Sequence, residues 1–146
     1  MKNLLIALAV VFAAGSAAVA QTAKTSGPAL TFKEETYNYG TVKAGTKVEH
    51  VFEFTNTGTE PLIISNAQGS CGCTVPEYPK QPIKKGEKAS IKVSFDSTGR
   101  VGMQEKTVTI TSNATGGPKV LYIKGTVEQA PVNTEPEARP MEKPQN

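Results

Sequence analysis

The chain has 146 residues, a formal net charge of +3 and 38% apolar residues, which fits one domain of the usual roughly 100 to 200 residues. One histidine, two cysteines and no tryptophan leave few side chains for catalysis. The sequence has no G-x-S-x-G elbow, P-loop or dinucleotide fingerprint, so we predict a protein that is not an enzyme and assign no catalytic residue.

The first 20 residues are typical of a signal peptide. Lys2 precedes an apolar stretch from Leu4 to Ala14, and Ala18-Val19-Ala20 forms an Ala-x-Ala cleavage site. The apolar stretch is shorter than the roughly 20 residues that span a bilayer, and no other run is long enough. We therefore predict export to the periplasm or the medium, with no transmembrane segment in the mature chain.

The residues that follow have the alternating pattern of β-strands. From Lys47 to Asn56, the side chains of Val48, His50, Phe52 and Phe54 fall on one face, which is typical of a half-buried strand. Further strands are predicted, in chain order, near Leu30 to Phe32, Tyr37 to Val42, Leu62 to about Gln68, Ala89 to Asp96, Lys106 to Ser112 and Val120 to Val127.

Glycine-containing turns separate these strands, and no segment beyond the signal peptide has sustained helical periodicity. Seven or so short strands in roughly 100 residues predict an all-β fold, an immunoglobulin-like antiparallel β-sandwich of about seven to eight strands. We assign this domain to residues 21–127. Residues 128–146 contain four prolines and little to bury, so we expect a disordered Pro-rich tail.

The two cysteines, Cys71 and Cys73, lie in the segment Ser-Cys-Gly-Cys-Thr. In an exported protein such a pair suggests a disulfide. In an extended segment their Cα atoms would lie about 6.7 Å apart, at the upper limit for a disulfide, unless Gly72 bends the chain. Buried structural thiols, a structural disulfide, thiol-redox chemistry and metal binding all remain open.

A metal site is the alternative use of the two thiols. Soft ligands of this kind favour Cu(I) or Zn(II), and His50 or Met103 could add a third ligand. A closed zinc site needs four ligands, which this chain can barely supply. His50 also lies beside Phe52 on an apolar face, where a histidine usually has a structural role. We therefore expect no cofactor, with copper or zinc as the alternative.

The Cys-Gly-Cys-Thr block and the surrounding residues resemble a bacterial family of exported domains of unknown function, numbered 1573. The family is related in fold to the ASPM-SPD-hydin and major-sperm-protein-like immunoglobulin domains. The shared positions include Gly40, Val42, Gly45, Phe52, Phe54, Asn56, Gly58, Pro61, Leu62, Ile64, Ser70 to Thr74, Pro76, Pro82, Ile83, Gly86, Phe95, Asp96, Gly102, Lys106, Ser112 and Asn113. The resemblance implies an immunoglobulin-like fold and an exported setting, and it implies no activity.

Three functions are compatible with these observations. The first is a module that binds or assembles another protein or an envelope polymer. The second is a metal-binding or thiol-redox protein that uses Cys71 and Cys73, and the third is a structural component of the envelope. A run of lysines between Lys80 and Lys92 is typical of a solvated face. Because no aromatic residues are interleaved with it, we do not expect nucleic acid as a partner.

Overall fold

The computed structural model describes residues 26–131, which form eight β-strands and no helix. The strands are β1 (Leu30–Phe32), β2 (Thr36–Lys43), β3 (Lys47–Asn56), β4 (Ile64–Gly69), β5 (Thr74–Glu77), β6 (Lys88–Asp96), β7 (Gly102–Ser112) and β8 (Lys119–Glu128). The signal peptide predicted for residues 1–20 and nearly all of the predicted tail lie outside the described residues. Within residues 26–131, no helix is long and apolar enough to cross a membrane.

The strands form two four-stranded sheets that pack face to face. Sheet A has the order β1-β3-β6-β5, and sheet B has the order β2-β8-β7-β4. This arrangement confirms the predicted all-β, immunoglobulin-like sandwich. The core between the sheets is formed by apolar side chains from both, which include Phe52, Phe54, Ile91, Val93, Phe95, Val108, Ile110, Leu121 and Ile123.

One strand pairing differs from the antiparallel arrangement that we predicted, because β2 runs parallel to β8. The tight turn at Gly45, with a φ of 87°, reverses the chain between β2 and β3. Since β1 is also antiparallel to β3, β1 and β2 run in the same direction. The chain therefore crosses from sheet A to sheet B over residues 33–35 without reversing, and β2 joins the edge of sheet B in parallel.

The alternating pattern in β3 agrees with the sequence prediction. The side chains of Val48, Phe52 and Phe54 are buried, and the intervening residues are mostly exposed. His50 lies on the same inner face but is only partly buried. Burial of each large apolar side chain contributes about 1.5 to 3 kcal/mol, so this face of β3 is a main source of stability for the sandwich.

Two strands begin at least two residues away from their predicted starts, and one strand was not predicted. The strand expected from Leu62 begins at Ile64, because Leu62 instead forms an isolated bridge with Ile83. The strand expected from Lys106 begins at Gly102, since pairing with β8 extends it beyond its alternating apolar residues. Strand β5 was not predicted, because it has four residues and contains Pro76, and such a segment has no distinct periodicity.

Candidate functional site

The two cysteines lie in the loop between β4 and β5, at one end of the sandwich. Cys71 and Cys73 form a disulfide in this structure, and their Cα atoms are 5.2 Å apart. The chain is bent at Gly72 rather than extended, and the backbone N–H of Thr74 donates to the carbonyl of Cys71 at 3.1 Å. Both cysteines are partly buried, whereas Gly72 is exposed. The disulfide therefore lies at the surface of the domain.

Thr74 lies directly beneath this disulfide. Its side chain is 3% exposed, and its Oγ1 atom is 3.5 Å from the Sγ of Cys71 and 3.8 Å from the Sγ of Cys73. Within the described residues, these two sulfur atoms are the only hydrogen-bond partners of the hydroxyl. Disulfide sulfurs are weak acceptors, so this buried hydroxyl is only weakly satisfied.

A shallow pocket lies beside Cys73 on the outer face of sheet A. Lys47, Gly72, Asp96 and Thr98 are among the residues that line it. A hydrogen bond to Glu49, and then its charge, raises the pKa of Lys47 above the usual value, so Lys47 is cationic at neutral pH. A hydrogen bond from Thr98 lowers the pKa of Asp96, so this pocket contains one charge of each sign.

Next to this loop, residues Gly102 to Lys106 of β7 have, within the described part of the chain, no partner strand on the side where β4 pairs with the rest of β7. We call this segment the open half-edge of β7. Strand β4 pairs with residues Val108 to Ser112, and the last pair is Gly69 opposite Val108. Ser70 ends this pairing, because its backbone N–H donates to the carbonyl of Thr107 at 2.8 Å. Beyond that point the chain turns away to the disulfide. No strand among residues 26–131 continues the pairing along Gly102 to Lys106.

Strand geometry determines which backbone groups face the open half-edge. Thr107 directs its N–H and C=O toward β4, and pairing of β7 with β8 is regular from Gly102 to Ile110. Because these directions alternate along an antiparallel strand, Met103 and Glu105 also direct their backbone groups toward the open half-edge. Within the described region, no backbone partner is found for them on this side.

The candidate residues from the sequence are not brought together. His50 contacts Glu34 through Nε2 at 2.9 Å and stacks on Tyr37 with ring centroids 3.7 Å apart. Met103 pairs with Thr126 and is 85% exposed. Three residues of β7 lie between Met103 and Thr107, the residue that contacts Ser70. The separation is roughly 13 Å along the strand. Among residues 26–131, the side chain that hydrogen-bonds to the two sulfurs is that of Thr74, and neither His50 nor Met103 does so.

The metal alternative takes two forms, a zinc site with several clustered ligands and a Cu(I) site held by Cys71 and Cys73, alone or with Met103. Among residues 26–131, no group of three or more His, Cys, Asp or Glu side chains is arranged to hold a metal ion. His50 instead lies in an aromatic cluster with Tyr37 and Phe52. The geometry of His50 is thus that of a packed side chain, and the two cysteines are joined to each other.

A stability measurement tests this description of His50. We expect His50→Ala to lower the free energy of unfolding by about 1 to 2 kcal/mol, because it removes two aromatic contacts and a hydrogen bond. Met103→Ser is the control and should change it by less than about 0.5 kcal/mol, since Met103 is exposed. Urea denaturation of both variants gives the comparison, and equal effects would contradict the packing role of His50.

Sequence reasoning missed two parts of this site. Thr74 was noted only as the end of the Cys-Gly-Cys-Thr block, and its reach to both sulfurs depends on the bend at Gly72. The open half-edge of β7 depends on where β4 leaves the sheet, which no local pattern indicates. Its only sequence signal is the apolar pair Val101 and Met103, which are 59% and 85% exposed.

Comparison with protein families identifies the group to which this sandwich belongs. The family described as "Protein of unknown function (DUF1573)" matches residues 30–127. The chain belongs to this family. The match extends from the first strand of the sandwich to the last and includes the disulfide loop, and it confirms the resemblance inferred from the Cys-Gly-Cys-Thr block. No curated protein matches this DUF1573 chain in sequence.

Solved structures show that the DUF1573 fold is shared with distant proteins. A protein of unknown function from Porphyromonas gingivalis W83 has 15% identity and a TM-score of 0.60, with 73% of this chain and 50% of that chain covered. The seventh PapD-like domain of human CEP192 has 10% identity and a TM-score of 0.58, with 89% and 100% covered. At these identities the likeness shows the fold alone.

The same sandwich also occurs within longer chains. The secreted serine protease VesC from Vibrio cholerae has 16% identity and a TM-score of 0.54, with 68% of this chain and 23% of that chain covered. This DUF1573 chain therefore spans half the length of the Porphyromonas protein and less than a quarter of VesC. Because fold does not determine function, the role of this protein depends on its own surface.

Proposed function

We propose that this protein is an exported binding module that captures an extended polypeptide segment at the open half-edge of β7. One observation supports the proposal most directly. Within the described residues, the backbone groups of Met103 and Glu105 have no strand partner on that side. Added strands bind through main-chain hydrogen bonds, and alternate side chains provide specificity. A segment of about five residues would extend the line of β4 along β7.

The other open edges have features that usually protect against strand addition. Strand β1 has only three residues, and β4 has a bulge between Ile64 and Asn66. Strand β5 contains Pro76, and the free part of β3 has a face of ion pairs in which Glu49 contacts Lys47 at 3.0 Å and Lys92 at 3.2 Å. Strand β2 has a bulge before Gly40. Proline, charges and bulges are the usual protections of edge strands. The half-edge of β7 has neither a proline nor a bulge in its pairing with β8. It exposes Met103, and its charged residues are the exposed Glu105 and the half-buried Lys106.

The side chains of the half-edge indicate what the captured segment contains. Cross-strand neighbours on one face of a sheet interact most favourably as apolar pairs or as opposite charges. We therefore expect an apolar residue opposite Met103 and a lysine or arginine opposite Glu105. The partner in this proposal is a protein in the same exported compartment that presents such a segment.

Fluorescence polarisation with a labelled peptide tests the proposal. The probe is a ten-residue peptide in which valine and lysine alternate with threonine, and its control has proline at alternate positions. We expect Glu105→Pro to weaken binding at least about tenfold, because it removes the N–H of residue 105 that an added strand needs. Glu105→Ala keeps that N–H and should lose less affinity. Equal binding by both variants would overturn strand addition.

Hydrogen exchange of the unmodified protein provides a second test that does not depend on a variant. In the free protein, the amides of Met103 and Glu105 should exchange rapidly, whereas those of Gln104 and Lys106, which face β8, should be protected. Addition of the probe peptide should protect Met103 and Glu105. Binding without that protection would place the peptide elsewhere and would contradict the proposal.

A further inference from the structure

We infer that the Cys71–Cys73 disulfide is a thiol–disulfide exchange site that accepts two electrons from a dithiol polypeptide, with Thr74 as a positioning residue for the departing sulfur. The inference is independent of peptide capture by β7. It rests on two observations, namely a disulfide in a surface loop and a buried hydroxyl within reach of both sulfurs.

The position of Thr74 favours the reduced pair over an inert disulfide. In the oxidised state, the acceptors that its hydroxyl finds among residues 26–131 are the two weakly accepting sulfurs. Cleavage of the disulfide creates a thiolate at one sulfur, and a thiolate is a strong acceptor for an O–H donor that is already in place. The hydrogen bond therefore strengthens as the S–S bond breaks, which stabilises the leaving group.

The surroundings of the two sulfurs distinguish their roles. Cys73 packs against Val48, Phe95 and Val127, and among the described residues Cys71 is not part of a core cluster. Access therefore favours attack at Cys71, with Cys73 as the leaving sulfur. The pocket beside Cys73 contains Lys47 and Asp96, and Lys47 is paired with Glu49 at 3.0 Å, so the charges of the pocket do not favour a thiolate. Attack at Cys71 thus places the new charge on Cys73, where the hydroxyl of Thr74 is the group that stabilises it.

The exchange balances without any other reactant. One thiolate of the dithiol polypeptide attacks the Sγ of Cys71 and forms a mixed disulfide, while the Cys71–Cys73 bond breaks and Cys73 leaves as a thiolate. The second thiolate of the polypeptide then attacks its own mixed-disulfide sulfur and releases Cys71. The polypeptide is oxidised to a disulfide, and Cys71 and Cys73 are reduced and take up two protons.

Reduction kinetics of the folded protein test the inference, with dithiothreitol as the dithiol probe. We expect the disulfide to be reduced without unfolding, and Thr74→Val to slow the reaction about tenfold, as expected for loss of one hydrogen bond to a charged group. Thr74→Ser restores the hydroxyl and should recover most of the rate. In the reduced protein, the absorbance of the thiolate should titrate at higher pH in Thr74→Val than in Thr74→Ser.

Two outcomes would overturn the inference. A disulfide that dithiothreitol reduces only after unfolding would be structural, and equal rates and titrations for Thr74→Val and Thr74→Ser would remove the role of the hydroxyl. If Thr74→Val does not fold, Thr74→Ala provides the test, because alanine removes the hydroxyl and adds no atom to the buried site. Thr74→Ala should be reduced about tenfold more slowly than Thr74→Ser, and an equal rate would contradict the inference.

Discussion

Replacement of Asn56 by alanine is expected to lower the free energy of unfolding by about 3 to 5 kcal/mol, a large effect for a single polar substitution. The side chain is fully buried. Its Oδ1 atom accepts from the backbone N–H groups of Ala29 and Gly58 at 3.3 and 3.0 Å. Its Nδ2 atom donates to the carbonyls of Glu60 and Ile83 at 2.7 and 2.9 Å.

Asn56 therefore joins three separate segments at one end of the sandwich. Alanine would leave three backbone groups without their partner, namely the N–H groups of Ala29 and Gly58 and the carbonyl of Glu60. The carbonyl of Ile83 keeps a second donor, the N–H of Leu62 at 2.8 Å. Each buried unsatisfied group costs about 1 to 3 kcal/mol. The estimate is lower than the full sum because some of these groups lie near the surface and the segments can relax.

Asn113 provides a matched control for this experiment. It makes similar bonds, since its Oδ1 accepts from Ile63 N–H at 2.8 Å and its Nδ2 donates to the Pro61 carbonyl at 3.2 Å. Asn113 is exposed, so water can satisfy the same groups and Asn113→Ala should cost about 1 kcal/mol or less. Urea denaturation of both variants measures the difference, and similar losses would show that burial of Asn56 is not the cause.

The sandwich could be predicted from the sequence because its core strands alternate clearly. In β3 and β6, large apolar residues occupy every second position, and the structure buries Phe52, Ile91, Val93 and Phe95 between the sheets. Such a pattern is local, so it can be identified without knowing which strands pair. The same reasoning cannot predict which strand pairs with β2. Its parallel pairing with β8 arises because the chain crosses from sheet A to sheet B after β1.

The candidate site could be predicted only in part, because its features depend on contacts between distant segments. The two cysteines are visible in the sequence, but the hydroxyl beneath them is defined by the bend at Gly72. The open half-edge of β7 is defined by where Ser70 ends the pairing of β4, a boundary that turn residues do not indicate. A sequence pattern identifies which face of a strand is buried, whereas the free edges of a sheet follow from its complete topology.

Gly69, at the end of β4, lies against Thr74, at the start of β5. This contact links the disulfide loop to the open half-edge of β7. Gly69 ends β4 and Thr74 begins β5, so the disulfide loop leaves and returns between them. A Cβ atom added at Gly69 would overlap the carbonyl oxygen of Thr74, and it would lie 3.0 Å from the Thr74 Cβ. Because the obstacle is backbone, a larger residue at 69 must displace β5 or the loop.

Gly69→Ala is therefore expected to destabilise the domain by about 2 to 3 kcal/mol, the upper range for overpacking of a tight contact. It should also move Thr74 away from the two sulfurs and slow reduction of the disulfide by dithiothreitol, as Thr74→Val does. Gly72→Ala is the control in the same loop, since no atom lies within 4 Å of an added Cβ, and it should cost less than about 0.5 kcal/mol. Urea denaturation and reduction kinetics of both variants separate the effects. Equal stability of the two variants would show that the loop adapts to the added methyl group, and the contact between Gly69 and Thr74 would then not hold the disulfide in place.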